Sequence, residues 1–232
     1  MLNLSSIKAI TLDLDDTLWP IWPTIERAEK RLHAWLAEHA PATAVLLSDP
    51  HVRREVRATT EILWAHKAHD LNTMRRESIR LALERAGEAP ALAEPAFEVF
   101  FAARMDVNLF DDARPALQWL AERYPVVAVS NGTANVHTIG IGEFFVASVN
   151  AQDVGVGKPD VRIFQAAADR LGLQPQHILH VGDDANLDVL GALNAGMQTA
   201  WVNRADHLWS QPQHPHISVT TMLELCDALT TD

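Results

Sequence analysis

Short apolar stretches rich in β-branched residues recur along the chain, each closing on acidic or small polar residues. Residues 7–14 form the first, and 126–130, 145–149, 178–182 and 199–202 repeat the pattern. Nearly unbroken apolar runs of this length predict strands buried on both faces, as in a parallel sheet. Between them, residues 112–123, 161–171 and 186–195 carry apolar positions at helical spacing. Strands and helices alternating in this way predict βαβ units, hence a Rossmann-like α/β fold with an open three-layer parallel sheet. Ligands of such sheets bind beyond the carboxyl ends of the strands.

Residues 20–107 break the rhythm. They show helical patterns at 24–39, 50–69, 73–86 and 92–107 and no strand, with Pro41, Asp49-Pro50, Gly87 and Pro90 read as breaks. The expected organisation is therefore a sheet domain, 1–19 with 108–232, interrupted after its first strand by an all-helical domain, 20–107. A proline- and histidine-rich surface loop is expected at 205–215, followed by a last short strand and helix.

Composition narrows the function. With 48% hydrophobic and 21% charged residues, the 232-residue chain has the balance of a packed globular protein. A formal net charge of −11 argues against a nucleic-acid partner. The same charge requires a local positive site, such as a metal ion, wherever a phosphorylated ligand is held. Cys226 is the only cysteine, lies in an apolar helical pattern, and reads as a packed core thiol. No apolar run reaches membrane-spanning length and no signal segment is evident, so a cytoplasmic location is expected. His207, His214 and His216 have no acidic or cysteine partner at ligand spacing, so a surface loop is expected there rather than zinc. Oligomeric state leaves no mark on the sequence.

Four polar clusters stand at strand ends. In Asp13-Leu14-Asp15-Asp16-Thr17, Asp13 and Asp15 fall on one side of an extended chain and repel each other unless a cation or a proton intervenes. An oxygen-preferring divalent cation, Mg²⁺ where a phosphate completes the shell, resolves the repulsion. Asp13 can then serve as nucleophile and Asp15 as proton carrier. Ser130-Asn131-Gly132 offers a hydroxyl and a backbone amide to a phosphate oxygen. Lys158-Pro159 places a cation before a helix that Pro159 can start, outside any P-loop pattern. Gly182-Asp183-Asp184 ends an apolar strand, and Asp188 lies one helical turn further on, spaced to orient Asp183 or Lys158.

The four clusters in this order resemble the motifs of the haloacid dehalogenase superfamily, over roughly residues 7–19 and 108–204. The insertion resembles that superfamily's helical cap of the first type. The resemblance implies that Asp13 is the nucleophile and Asp15 the acid/base. Ser130, with Asn131, and Lys158 would bind the phosphoryl group, while Asp13, Asp183 and the backbone carbonyl of Asp15 would ligate Mg²⁺, with Thr17 and Asp188 supporting them. The superfamily's metal-free dehalogenases lack an acidic residue two positions after the nucleophile; Asp15 and Asp183 favour a phosphatase of small phosphorylated metabolites. A 2-haloacid dehalogenase and a non-catalytic binding protein are the alternatives.

Specificity is expected in the cap, closing over the site and excluding water. Its candidate readers are Arg75 above all, with Trp19, Trp22, Trp64, His69, Asp70, Arg76 and Ser78. The pattern around His69-Asp70, Arg75 and Ser78, together with His180–Asp184 and Gly191–Gln198, is similar to bacterial flavin-mononucleotide and ribityl-aminouracil phosphate phosphatases.

Overall fold

The computed structural model describes residues 1–230. The chain divides into two compact units, Met1–Pro20 with the chain from Asn108 onward, and Ile21–Val107. The first strand of the sheet unit is β1, Ala9–Leu12, shorter than the apolar run that announces it. Its pairing continues beyond the regular ladder, because Lys8 N–H donates to His177 O at 2.8 Å and Asp13 N–H to Val181 O at 2.9 Å.

The helical unit follows as α1 (Ile21–His39), α2 (Pro41–Ser48), α3 (Pro50–Leu63), α4 (Leu71–Arg85) and α5 (Ala93–Arg104). The sequence pattern gives no helix at α2, because Pro41 and Asp49-Pro50 read as breaks. Both prolines instead occupy first turns, where a missing N–H costs nothing. Asp49 caps α3 by accepting from His51 N–H at 2.8 Å. The helix expected to run to 69 ends at Leu63, and Asp70 then caps α4 through Thr73 N–H at 2.9 Å. Ala28, Leu32 and Leu36 of α1 meet Ile79 and Leu83 of α4 and Phe97 and Phe100 of α5 in one apolar core.

The sheet unit resumes with α6 (Ala113–Ala121), β2 (Val126–Ser130), α7 (Val136–Ile139), β3 (Ala147–Asn150), α8 (Ala151–Val154) and α9 (Val161–Leu171). It continues with β4 (Ile178–Gly182), α10 (Gly191–Asn194), β5 (Gln198–Val202), β6 (Ile217–Val219) and α11 (Met222–Thr230). β3 starts two residues later than its apolar pattern suggests, since Phe145 closes the 3₁₀ turn Gly142–Phe144. Among the described residues six strands lie parallel in the order β3-β2-β1-β4-β5-β6. β1 therefore lies centrally, with the chain winding away from it on both sides. That reversal opens a crevice at the carboxyl ends of β1, β2 and β4. β2, β4 and β5 are buried throughout, and Val127, Val129 and Ile178 pack against Ile163, Phe164 and Ala167 of α9.

No helix among the described residues is long and apolar enough to cross a membrane. Cys226 is buried and unpaired, and burial pushes its thiol up to about 11. His216 accepts from Thr199 N–H at 3.1 Å and so ties the loop before β6 to β5. On α6 the fully buried Leu117 lies between Ala113, Ala116 and Leu120. Leu117→Ala is expected to destabilise the protein by about 2–5 kcal/mol through lost burial and the cavity left behind. Urea denaturation followed by circular dichroism checks this; a loss below about 1 kcal/mol would mean that α6 packs loosely.

Candidate active site

Asp13 leaves the end of β1 almost completely buried, and three groups surround its carboxylate. Lys158 Nζ donates to Oδ1 over a very short contact. Thr17 Oγ1 lies 3.2 Å from Oδ2 and 3.1 Å from Oδ1 of Asp183, which stands beyond the end of β4. Lys158 Nζ also reaches Asp188 Oδ1 at 2.6 Å. Oxygens of Asp13, Asp183 and Asp188 lie within 4.8 Å of one another.

Each partner in this cluster has a structural reason to be there. Asn131, at the end of β2, accepts from Lys158 N–H at 2.6 Å and donates to Lys158 O at 2.9 Å. Its carboxamide therefore holds the lysine segment in place rather than offering itself to a ligand. The approach is close enough that a Cβ on Gly157 would sit 2.6 Å from Asn131 Oδ1. Ser130 Oγ accepts from Gly132 N–H at 2.9 Å, which sets the hydroxyl at the turn after β2. Helix α9 begins at Val161 with Asp160 as its cap, so Pro159 lies before the helix and does not start it.

The helix expected at 186–195 opens instead as a π-helical turn, Ala185–Leu190, capped by Asp184 through Asn186 and Leu187 N–H, each at 2.7 Å. Wider turns of this kind recur at functional sites. Here the turn folds Asp188 back beneath β4, where its Oδ2 accepts from Asp184 N–H at 3.0 Å. A Cβ on Gly182 would lie 2.3 Å from Asp188 Cγ, so only glycine allows that return.

One ammonium faces three carboxylates, and their proton affinities diverge accordingly. Burial pushes the Asp13 carboxyl well above its ordinary range, reinforced by Asp188 and Asp183 and opposed by Lys158. Burial, with Asp188 and Asp16 nearby, raises Asp183 to about 7. Burial acts in the same direction on Asp188, but Lys158 and His180 outweigh it and hold that carboxyl low. Lys158 is raised despite its burial, because Asp13 and Asp188 both favour its charged form. Lys158 thus answers both Asp13 and Asp188 with one positive charge, and the three clustered carboxylates outnumber it. An all-oxygen, carboxylate-rich set of this kind fits a hard divalent cation.

Several further residues support the cluster. His180, buried in β4, accepts or donates at both ring nitrogens, with Asp188 Oδ1 at 3.1 Å and Thr11 Oγ1 at 2.9 Å. Burial lowers its pKa. Trp201 Nε1 donates to Asp183 O at 2.6 Å. Arg204 Nε and Nη2 donate to Thr17 O at 3.1 and 2.9 Å, and Nη2 also reaches Asp112 at 3.0 Å. Trp19, a candidate cap reader by sequence, is instead fully buried within the sheet unit, with Nε1 donating to Asp15 Oδ1 at 2.8 Å. Arg75 lies on α4, paired with Glu29 at 2.8 Å and stacked over Phe100, so its charge is engaged within the helical unit. Asp70 is a helix cap, Arg76 pairs with Glu94 at 2.8 Å, and Trp22 stands exposed.

Residues 7–196 match the model of the haloacid dehalogenase-like hydrolases, most of the chain and all of this cluster. The chain belongs to that family. It is 31% identical to the 5-amino-6-(5-phospho-D-ribitylamino)uracil phosphatase YigB of Escherichia coli (strain K12), over 96% of each chain. It is 29% identical to a glyceraldehyde 3-phosphate phosphatase of Methanopyrus kandleri, over 96% of this chain and 97% of the relative. Among solved structures, a 2-haloacid dehalogenase from Pseudomonas syringae pv. Tomato DC3000 matches with a TM-score of 0.91 and 33% identity. That match covers 96% of this chain and 98% of the other.

The family's motifs thus meet around one buried ammonium. Removing that charge while keeping the side chain's length, as in Lys158→Met, leaves the buried carboxylates of Asp13 and Asp188 without their shared ammonium. The metal-free protein is expected to lose about 3–5 kcal/mol at neutral pH. Urea denaturation in the presence of a chelator measures it; an unchanged midpoint would show that the lysine neutralises nothing.

Proposed function

We propose that this hydrolase is a Mg²⁺-dependent phosphatase of small phosphorylated metabolites working through an aspartyl-phosphate on Asp13. The observation that carries the reading is the juxtaposition of Asp13 with Lys158 and Asp183, together with a further carboxylate at Asp15. Asp13 and Asp183 would hold the cation, with the backbone carbonyl of Asp15 as the family resemblance implies. When bound, the cation supplies positive charge to the phosphoryl oxygens and so relieves their repulsion from a carboxylate.

This chain's own residues do the rest. Lys158 and Ser130 hold the phosphoryl group in line with Asp13, and Thr17 fixes the carboxylates of Asp13 and Asp183. Asp13 forms the bond to phosphorus while the alcohol oxygen leaves with its electron pair and takes a proton from Asp15. Asp15 then removes a proton from water, whose oxygen attacks phosphorus and frees Asp13. Acid/base assistance of this kind contributes about 10²–10⁴-fold.

A dehalogenase is the second reading, favoured by the name of the solved structure at 33% identity. A halide leaves as a stable anion and needs no proton, so Asp15 would have no task. Among phosphomonoesters, we propose ribitylaminouracil phosphate or flavin mononucleotide, supported by the relative at 31% identity. The lone, buried Cys226 accords with a reducing compartment, and we place the enzyme in the cytoplasm.

Asp13→Asn is expected to cut turnover on the order of 10⁴-fold or more with circular dichroism unchanged. Chelation should abolish wild-type activity, and Mg²⁺ should restore it. Near-wild-type hydrolysis by the variant refutes the nucleophile. Flavin and ribityl phosphates hydrolysed no faster than generic sugar phosphates refute the substrate class.

A further inference from the structure

Trp19 is fully buried, and a buried indole N–H needs an acceptor. Its acceptor is Oδ1 of Asp15, at 2.8 Å. The three residues between them, Asp16, Thr17 and Leu18, are held on their own account. Asp16 takes a left-handed φ of 58°, and its N–H donates to Trp19 O at 2.8 Å. Leu18 N–H donates to Leu14 O at 2.8 Å, and residues 15 and 19 pair as an isolated parallel bridge. Arg204 adds its paired donation to Thr17 O from outside the loop. The indole is thus presented to the Asp15 carboxylate by a loop with little freedom to turn it elsewhere.

We infer that Trp19 is a positioning residue that orients the Asp15 carboxyl group for proton transfer. A protonated carboxyl keeps one carbonyl-like oxygen, the better acceptor, and one hydroxyl. Because the indole can only donate, it engages Oδ1 as an acceptor. The Asp15 proton passes to the leaving alcohol oxygen as the ester P–O bond breaks, and the carboxylate recovers a proton from water in the second half. Without the indole N–H, the carboxyl loses the donor that engages Oδ1, so part of the acid's contribution is lost. The inference rests on Asp15 being the acid/base, and it predicts an effect that depends on the leaving group.

The test compares kcat/KM, which reports the steps up to release of the alcohol, for a poor leaving group and a good one. Glycerol phosphate needs its alkoxide protonated, whereas p-nitrophenyl phosphate releases a stable phenolate. In Trp19→Phe, kcat/KM for glycerol phosphate should fall about tenfold or more, part of the general-acid contribution, while p-nitrophenyl phosphate stays within about threefold. Replacing Trp19 by benzothienylalanine, with sulfur where the indole carries N–H, repeats the test with the shape of the side chain kept. The same selective loss is expected there, even where Phe disturbs packing. Asp15→Asn, run beside them, should show the larger selective loss. If Asp15→Asn is selective while the benzothienylalanine protein loses nothing, or loses equally on both substrates, the role of Trp19 is overturned alone. If Asp15→Asn shows no selectivity, the acid/base assignment falls and takes the inference with it.

Discussion

A single buried ammonium organises this protein. Lys158 lies against Asp13 and Asp188, both also buried, and a charge placed so deep is tolerable only when paired and hydrogen-bonded. The pairing is deliberately incomplete in electrostatic terms. Asp188 takes its share of positive charge from Lys158 with His180 alongside, while Asp13 and Asp183 are pushed toward their protonated forms. A fold that concentrates carboxylates faster than it neutralises them creates a demand that a divalent cation and an electrophile can meet.

The sheet supplies the place, and the loops supply the direction. With β1 at the point where strand order reverses, the residues after β1, β2 and β4 converge without any strand having to bend. Lys158 arrives from the loop before α9 and is locked there by both ends of the Asn131 carboxamide. The π-helical turn returns Asp188 to the same point, and the missing side chain of Gly182 makes room for it. The loop after β1 is tied by Arg204 at Thr17 and by its own Trp19 at Asp15. Within the helical unit, by contrast, arginine charge is absorbed locally, as the Arg75–Glu29 and Arg76–Glu94 pairs illustrate.

Much of this was legible in the sequence, for physical reasons that differ from place to place. Strands 126–130 and 178–182 match their apolar runs residue for residue, because strands buried on both faces leave an unbroken hydrophobic signature. Asp13 and Asp183 announced themselves because charge at the end of an apolar strand is unusual, and Lys158 and Asp188 through the order and spacing of the clusters they belong to. Helix α2 escaped because proline signals a stop and a first turn equally well. Trp201 and Arg204 escaped because their tasks depend on contacts across the loops or across the sheet, which no local pattern encodes. Asn131 and Trp19 were legible as candidates for substrate contact, but not as partners of Lys158 and Asp15. His180 sits within an apolar strand and looks like a core residue until its two ring nitrogens are placed.

The resemblance to both phosphatases and a dehalogenase leaves the chemistry to be decided by Asp13 and what becomes attached to it. The most direct measurement is acid quenching within the first turnover of a phosphomonoester, followed by peptide mass analysis. The account requires a phosphoryl group on the peptide bearing Asp13, and only there, rising and then decaying as inorganic phosphate appears. A phosphoryl group on another residue, or an Asp13 peptide that stays unmodified while product accumulates, would contradict it.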